Sequence, residues 1–379
     1  MVRRFSWFLI LFFGFLGSLA PLYCETSVLT DLTFLTGWEQ KVNGDPGLWA
    51  LSLGRLSFSS EGNPLVKSQL VLDIKASDAT VVSLYKAFVK AKLADLRLTL
   101  GKTRLSWGDG TMFNAGDVIF GSGEVDFTAD ELRDNTLWLG SLYWGFGPFS
   151  FVEAVVIPPE YPLLAQTVNL FTSPNQMSPP VLADPGTTSG GGRIYYRLWD
   201  VKTEGGYLFN GKYGLHKPYL SFQGALGDVN IHLSSSWDLP RDDPLGNSGR
   251  DSWEISTGLF YQWELNGGIS EEEETQSAPS LLNLRLEALV KPYGSWEKIP
   301  SGTQNDYALQ LYPEVSWKSD TITVFIRSLV SPFDLSAQST WALQWAPLQG
   351  FRILTSASLQ SRETNVNGWS IKLGTRVIF

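Results

Sequence analysis

The sequence predicts an all-β fold: a transmembrane antiparallel up-and-down β-barrel of about 16–18 strands. Three observations predict it. The final segment alternates apolar and mostly polar residues and ends on Phe379, a charged and then apolar segment opens the chain, and candidate strands between them are joined by short and long connections in turn. Because successive side chains of a strand point to opposite faces, a barrel in lipid has apolar residues outside and polar residues inside.

The chain begins with a predicted export signal. Two arginines precede an apolar run from 5 to 19, which has the order and length of a secretory leader and is too short for a transmembrane helix. We place the cleavage after Cys24, which divides the chain into a leader, residues 1–24, and one barrel domain, residues 25–379. Lipid modification of Cys24 and twin-arginine export are the alternatives that stay open.

Composition agrees with a barrel in a membrane. The 379 residues include 15 Trp and 13 Tyr, with a mean hydropathy of -0.04, which is the average expected when lipid-facing and lumen-facing residues alternate between aromatic girdles. Cys24 is the only cysteine, so the predicted mature chain needs no disulfide framework. The net charge of -9 becomes -11 without the two leader arginines, and this acidity argues against nucleic acid as a partner.

Candidate strands fill the rest of the chain. They are residues 33–42, 47–59, 66–75, 81–94, 95–105, 135–144, 148–157, 192–199, 201–210, 216–226, 228–238, 252–264, 281–291, 305–317, 320–330, 337–346, 350–361 and 366–379. Short turns alternate with long loops such as 106–134 and 158–191, although 265–280 and 211–215 break the alternation. This organisation is typical of bacterial barrels. A soluble β-sandwich or propeller is the alternative, but the sequence has no propeller-like repeat.

The alternation also predicts which side chains face the lumen, because a charge on the lipid face costs about 2–4 kcal/mol near mid-membrane. Twelve basic residues are predicted to line the pore: Lys67, Lys75, Lys86, Lys90, Lys92, Arg193, Arg197, Arg285, Lys291, Arg352, Lys372 and Arg376. They outnumber the acidic residues of the same faces, while seven acidic residues fall in loop 106–134 and four more form the run 271–274. A basic lumen favours anions. The alternative is that these cations pair with lumen carboxylates.

One segment resembles a known pattern. Residues 96–110 read LRLTLGKTRLSWGDG and continue into Phe113-Asn114 and Asp117. A strand that ends in Gly-Lys/Arg-x-Arg-x-x-Trp-Gly-x-Gly and runs into Phe-Asn-x-x-Asp recurs in porin-like families of bacterial outer-membrane β-barrels, which this chain resembles over residues 81–120. The motif residues at the expected pore mouth are Lys102, Arg104, Trp107, Asp109, Asn114 and Asp117. They predict either a charge network at the pore mouth or a salt-bridged loop anchor.

The resemblance implies an outer-membrane channel for passive diffusion of small hydrophilic solutes, and the predicted lumen adds a preference for anions. The terminal Phe379 is similar to the final aromatic residue that such proteins present to the barrel-assembly machinery. The implied partners are outer-membrane lipid, that machinery and small solutes, and homotrimers are common among porins. No cofactor or metal site is expected, since the sequence has no metal-ligand spacing.

Two alternatives to a channel follow from particular segments. The Pro-rich loop 158–191 folds inward in one interpretation, and in the extreme case the barrel is a plugged adhesin or structural membrane protein; a surface lid is the plainer interpretation. The second alternative is a barrel lipase that uses His232 and Ser234, because a His-x-Ser pair occurs in outer-membrane phospholipase A. The Asn-Gly that follows the pair in that family is absent here.

Overall fold

The computed structural model describes residues 26–40, 44–77, 80–122, 132–133, 135–159, 168–169, 184–242, 252–265, 280–299, 306–362 and 365–379. Its barrel strands are β1 (Thr26–Gln40), β2 (Gly47–Asn63), β3 (Val66–Ala76), β4 (Thr80–Leu93), β5 (Leu96–Thr103), β6 (Leu137–Gly147), β7 (Ser150–Ile157), β8 (Ser189–Leu198), β9 (Val201–Asn210), β10 (Leu215–Leu226), β11 (Val229–Trp237), β12 (Trp253–Leu265), β13 (Ser280–Val290), β14 (Leu309–Lys318), β15 (Ile322–Ser331), β16 (Ser336–Leu348), β17 (Phe351–Arg362) and β18 (Asn365–Ile378). The leader, the acidic run 271–274 and most of loop 158–191 lie outside the described residues.

The sheet closes on itself. Each strand pairs antiparallel with the next, and β18 pairs with β1. At the seam Phe379 N donates to Thr30 O at 2.9 Å and Thr30 N donates to Phe379 O at 3.2 Å. On the lumen side of the same seam, the Arg376 guanidinium binds the Asp31 carboxylate at 2.6 Å. The predicted closed barrel is therefore confirmed, with eighteen strands around it in the described part of the chain.

The two ends of the barrel differ. Tight turns such as 94–95 and 227–228 lie at one end of the barrel, which we call the short-turn end. The start of β1 and the end of β18 lie at the same end. Connections such as 104–136 and 291–308 lie at the other, the long-loop end. The connection 266–279, at the short-turn end, is the long exception and lies outside the described residues.

One boundary differs from the sequence-based expectations. β1 begins at Thr26 rather than at 33, because its first residues pair with the far end of β2. On β5, Lys102 has the same parity as Leu96, Leu98 and Leu100, and the β4–β5 pairing continues through Gly101 without a shift. Gly101 has φ +127°, and a Cβ there would lie 2.1 Å from Ala87 O. The glycine permits a close strand approach, and β5 ends at Thr103.

The outer surface is an apolar band. Its exposed side chains include Leu96, Leu142, Trp144, Ile194, Tyr207, Leu220, Leu259, Trp263, Leu286, Trp341 and Leu373. Phe379 is 72% exposed beside the seam, in keeping with its predicted position on the lipid side. No helix in the described part of the chain is long and apolar enough to cross a membrane.

We expect Arg376→Gln to destabilise the barrel by about 1–3 kcal/mol, because it leaves the buried Asp31 carboxylate without its charged partner. The unfolding midpoint in urea, read from heat-modifiable migration on gels, measures this loss. Lys372→Gln is the matched control on the same strand and should change the midpoint little, because Lys372 binds no carboxylate of the described residues. Equal midpoints for both variants would contradict the role of the seam pair.

Candidate functional site in the barrel lumen

Residues 104–122, which we call the inward loop, leave β5 and pack against the inner wall. Trp107 is completely buried, as is Asp117, and Phe113 is 1% exposed. A loop outside the barrel would leave most of these side chains in water. The inward loop therefore occupies part of the lumen, and it contains most of the motif that the sequence singled out.

The first anchor of the inward loop is Trp107. Its ring stacks on Tyr219 of β10 with centroids 5.7 Å apart, and its Nε1 donates to Glu153 of β7 at 3.3 Å. The next residue, Gly108, donates its backbone N–H to Glu204 of β9 at 2.8 Å. Inward-facing apolar side chains of β6, β7 and β9 complete a small core around the indole. A tryptophan at this position thus fastens the loop to several strands at once.

The second anchor is a single carboxylate. Glu287 of β13, 1% exposed, accepts the backbone N–H groups of Thr111 at 3.0 Å and of Met112 and Phe113 at 2.8 Å each. Beside it, Ser256 Oγ of β12 accepts the N–H of Ala115 at 2.9 Å. Buried amides without partners cost free energy, so these acceptors stabilise the loop in this position.

Arg133, beyond the loop, joins the middle of the loop to its last residues. Its guanidinium donates to the carbonyl oxygens of Met112 at 2.8 Å, Thr111 at 3.2 Å and Gly121 at 3.0 Å, and it binds the Asp117 carboxylate at 3.3 Å. Burial raises the pKa of Asp117 to about 6, while Arg133 and Arg104 pull it the other way. The buried carboxylate thus needs both cations to stay ionised near neutral pH.

Of the remaining motif residues, Asn114 and Arg104 make contacts within the loop, whereas Lys102 of β5 binds the backbone of β4. Asn114 Nδ2 donates to the Trp107 carbonyl at 3.0 Å, and Lys102 Nζ donates to the Leu84 carbonyl at 2.5 Å. Arg104 lies 3.9 Å from Asp117. Asp109 faces the wall, and burial raises the pKa of its carboxyl. Of the two predicted roles for this motif, these contacts fit the loop anchor.

The inward loop divides the lumen into two walls. The covered wall is the inner face of β6–β14, which the loop contacts from Leu139 to Tyr312. The open wall is the inner face of β15–β18 and β1–β5. The two walls differ in whether the basic residues predicted to line the pore have ionic partners. The carboxylates that anchor the loop lie on the covered wall, where they can also pair with these cations.

On the covered wall the predicted pore-lining cations are paired. Arg193 lies between Glu153 at 2.8 Å and Glu204 at 3.1 Å, and its side chain is only 13% exposed. Arg285 contacts Glu287 and Glu314, and Lys291 contacts Glu254 at 3.3 Å. Arg197, near the short-turn end, binds Asp200 at 2.8 Å. The inward loop also covers Arg193, whose guanidinium donates to the Ser106 carbonyl at 3.3 Å.

On the open wall most predicted cations are unpaired. Within the described residues, no carboxylate forms an ion pair with Lys67, Lys75, Lys90, Lys92, Arg352 or Lys372. The remaining two are Lys86, whose ammonium lies 4.8 Å from the Tyr85 ring centroid, and Arg376, which is paired with Asp31. The β3–β4 register shifts at Tyr85, between the pairs Val71–Lys86 and Leu72–Leu84, and the Arg55 guanidinium of β2 lies 4.1 Å from the Tyr85 ring centroid.

Above the inward loop, toward the long-loop end, the lumen holds a cavity of about 880 Å³. Both positive and negative side chains line this cavity. Lys217 binds Asp238 at 3.0 Å, and Lys291 binds Glu254. The loop residues 117–122 form part of its lining. A space of this size admits small solutes as far as the loop.

His232 and Ser234 do not form a catalytic pair in the described residues. Ser234 is 1% exposed, and its Oγ bonds to Ser221 Oγ at 2.7 Å and to the Asp109 carbonyl at 3.4 Å. His232 Nε2 is buried without a hydrogen-bond partner. The imidazole therefore does not activate the hydroxyl, as a nucleophile–base pair requires.

The sequence did not single out the carboxylates Glu153 and Glu204 or the cation Arg133. A signal for the first two exists, because each is the only acidic residue of its strand, and a carboxylate within a barrel strand must face the lumen. That their partners are loop amides and an indole is not readable from the strands, because these contacts join residues far apart in the sequence.

The fold and the loop define a closed barrel with an inward constriction, and solved structures share this fold. No protein-family model matches the chain, and no curated protein matches it significantly. Solved structures that match include OccK2 (OpdF) of Pseudomonas aeruginosa in complex with glucuronate, with a TM-score of 0.57 and 12% identity over 94% of this chain and 98% of that one. OpdK of the same organism with vanillate has a TM-score of 0.54 and 11% identity over 93% of this chain and 98% of that one. The outer membrane protein opdK from Pseudomonas aeruginosa has a TM-score of 0.53 and 10% identity over the same shares of the two chains. The predicted resemblance to porin-like outer-membrane barrels is confirmed for the fold.

We expect Glu287→Gln to loosen the inward loop, because it replaces charge-assisted acceptance of three amides by a single amide oxygen. Hydrogen exchange of residues 111–113, followed by mass spectrometry, should accelerate by about ten-fold or more, since each such bond contributes about 1.5–3 kcal/mol. Glu264→Gln is the control, because Glu264 is an exposed carboxylate of β12 on the same wall and has no contact with the loop in the described residues. Unchanged protection in Glu287→Gln would show that this carboxylate is not an anchor.

Proposed function

We propose that this chain is an outer-membrane channel for the passive diffusion of small hydrophilic solutes, with a preference for anions. The observation that carries the proposal is the unequal division of lumen charge. On the covered wall the four cations predicted to line the pore all bind carboxylates, whereas six of the predicted cations on the open wall bind no carboxylate of the described residues. A solute that passes the inward loop therefore meets mainly positive charge.

Electrostatics supports the preference. Charged rings in a narrow aqueous path between low-dielectric walls focus the field, and they raise the local concentration of ions of opposite sign. The net charge of the whole chain is negative, so the selectivity rests on where charges lie rather than on their sum. Glucuronate and vanillate, named for two structural neighbours, are both carboxylates, which agrees with an anion path in a barrel of this shape.

The location and assembly of the channel belong to the same proposal. We place the mature chain, residues 25–379, in the bacterial outer membrane after removal of the leader. Its closing strand, ending at Phe379, is the segment we expect the barrel-assembly machinery to recognise. A homotrimer is the assembly we propose by analogy with other porins.

Reconstitution in a planar bilayer tests the channel. The refolded protein should give ohmic open-channel steps in KCl, and a KCl gradient should give a reversal potential of the sign expected for anions. A plugged adhesin or structural barrel predicts no steps at all, and that result would remove the channel. Clear cation selectivity would remove the anion preference and leave the channel.

Open-wall cations should set this selectivity. We expect the double variant Lys75→Gln with Lys372→Gln to lower the anion-to-cation permeability ratio by about two-fold or more, because both belong to the six open-wall cations that bind no carboxylate of the described residues. The control is Arg241→Gln with Lys298→Gln, which removes two charges from exposed connections at the long-loop end, where salt screens them. A ratio that falls equally in both would mean that overall charge, rather than the open wall, sets selectivity.

A further inference from the structure

Four basic side chains cluster where β3, β4 and β5 approach the short-turn end: Lys67, Lys90, Lys92 and Arg97. We call this cluster the basic outlet. Lys67 lies directly opposite Lys90 in the β3–β4 pair, and Lys92 lies directly opposite Arg97 in the β4–β5 pair. Like charges placed opposite each other on one face destabilise a sheet. Two such pairs side by side therefore call for a compensating charge.

The strand register places the basic outlet in the lumen. Leu139 of β6 packs on Trp107 of the inward loop, and its row of cross-strand partners continues through Gly101 to Phe88. Moving two residues toward the short-turn end gives the row of Lys90 and Lys67. Two residues further along β4 in the same direction lies the row in which Lys92 is opposite Arg97 and Arg97 is opposite Tyr143. At about 3.4 Å per residue, the outlet lies about 7–14 Å beyond the level of the loop.

The described residues supply no compensating charge. All four side chains belong to exposed residues, and no carboxylate forms an ion pair with any of them in the part of the chain that the structure describes. Asp95, in the turn between β4 and β5, forms none either. Elsewhere on the open wall, arginines form ion pairs with acidic residues. Arg376, which lies opposite Arg352, binds Asp31, and Arg55 binds Asp73.

Aromatic rings hold two of the cations in place. The Arg97 guanidinium lies 4.1 Å from the ring centroid of Tyr143, and Lys90 Nζ lies 4.9 Å from that of Phe88. Cation–π contacts of this kind orient a charged group without neutralising it. The outlet is therefore a partly ordered group of cations with its charge still available.

We propose that the basic outlet is a binding site for small polyvalent anions, in the class of diphosphates and tricarboxylates. A monovalent anion neutralises one cation, whereas an anion with several charges contacts both like-charged pairs at once. It therefore forms more charge-assisted hydrogen bonds and removes more of the repulsion. The anion comes from solution rather than from a lipid headgroup, because the four side chains face the lumen. The proposal deepens the proposed function, on which its role in transport rests: the outlet retains polyvalent anions at the short-turn end of the path.

Side-specific block of the ion current tests the site. Pyrophosphate is added to one chamber and then to the other, with the full barrel in KCl, and sulfate serves as the weaker anion. The wild-type channel should be blocked at lower pyrophosphate concentration from one chamber than from the other, because the outlet lies near one end. Lys90→Gln with Lys92→Gln should raise the blocking concentration on the sensitive side by about ten-fold, since both like-charged pairs are broken. Equal block of wild type and variant would overturn the site.

Lys318→Gln is the matched control. Lys318 ends β14 at the same end of the barrel on the opposite wall, and it is exposed, so its loss should leave the pyrophosphate block unchanged. A loss of block as large as in the outlet variant would mean that general charge at the short-turn end, rather than the cluster, binds the anion.

Equilibrium binding separates this proposal from the channel itself. Titration calorimetry of pyrophosphate into the folded barrel in neutral detergent needs no ion current. Binding that is lost in Lys90→Gln with Lys92→Gln supports the site even if bilayers show no conductance, in which case only the channel fails. A conducting, anion-selective channel that binds no pyrophosphate by either measurement would overturn the site and leave the channel.

Discussion

The buried Glu287 carboxylate accepts three consecutive amides of the inward loop, and the arrangement of the lumen depends on that acceptance. A chain segment that enters a barrel brings backbone N–H groups away from bulk water, where each must find a partner. Glu287, Ser256 and Glu204 supply those partners from three strands of one wall. Without them the segment would gain more by remaining in water at the long-loop end, and the lumen would be open on all sides.

Fastening the loop has an electrostatic consequence. The carboxylates that accept from the loop also bind Arg193 and contact Arg285, so the covered wall presents little net charge. In the described residues the inward loop binds no carboxylate of the open wall, where Asp31 pairs with Arg376 and Asp73 pairs with Arg55. One structural requirement thus produces a lumen that is neutral on one side and basic on the other, although the chain as a whole is acidic.

Sequence reasoning was strongest where one physical rule acts alone. The period of two along each strand predicted the barrel, a range of 16–18 strands that includes the observed eighteen, and the closing strand, because a lipid face must be apolar. The same rule placed Lys372 and Lys90 on inward parity, but it does not tell which inward cations meet water. Arg193 shows why: its exposure depends on a loop that docks through Glu153 and Glu204, contacts between residues distant in sequence. The motif around Trp107 was visible as a pattern, while its position inside the lumen was not.

The position of the inward loop is the central claim, and a cysteine pair tests it most directly. In a chain expressed without the leader, and hence without Cys24, Ala115→Cys with Ser256→Cys should form a disulfide under mild oxidation, because Ala115 N lies 2.9 Å from Ser256 Oγ. Ala115→Cys with Ser356→Cys should form no disulfide, because Ser356 lies on β17 of the open wall. Rapid cross-linking of the first pair alone is the result the structure predicts. Failure of that pair, or equal cross-linking of both, would contradict a loop fixed to the covered wall.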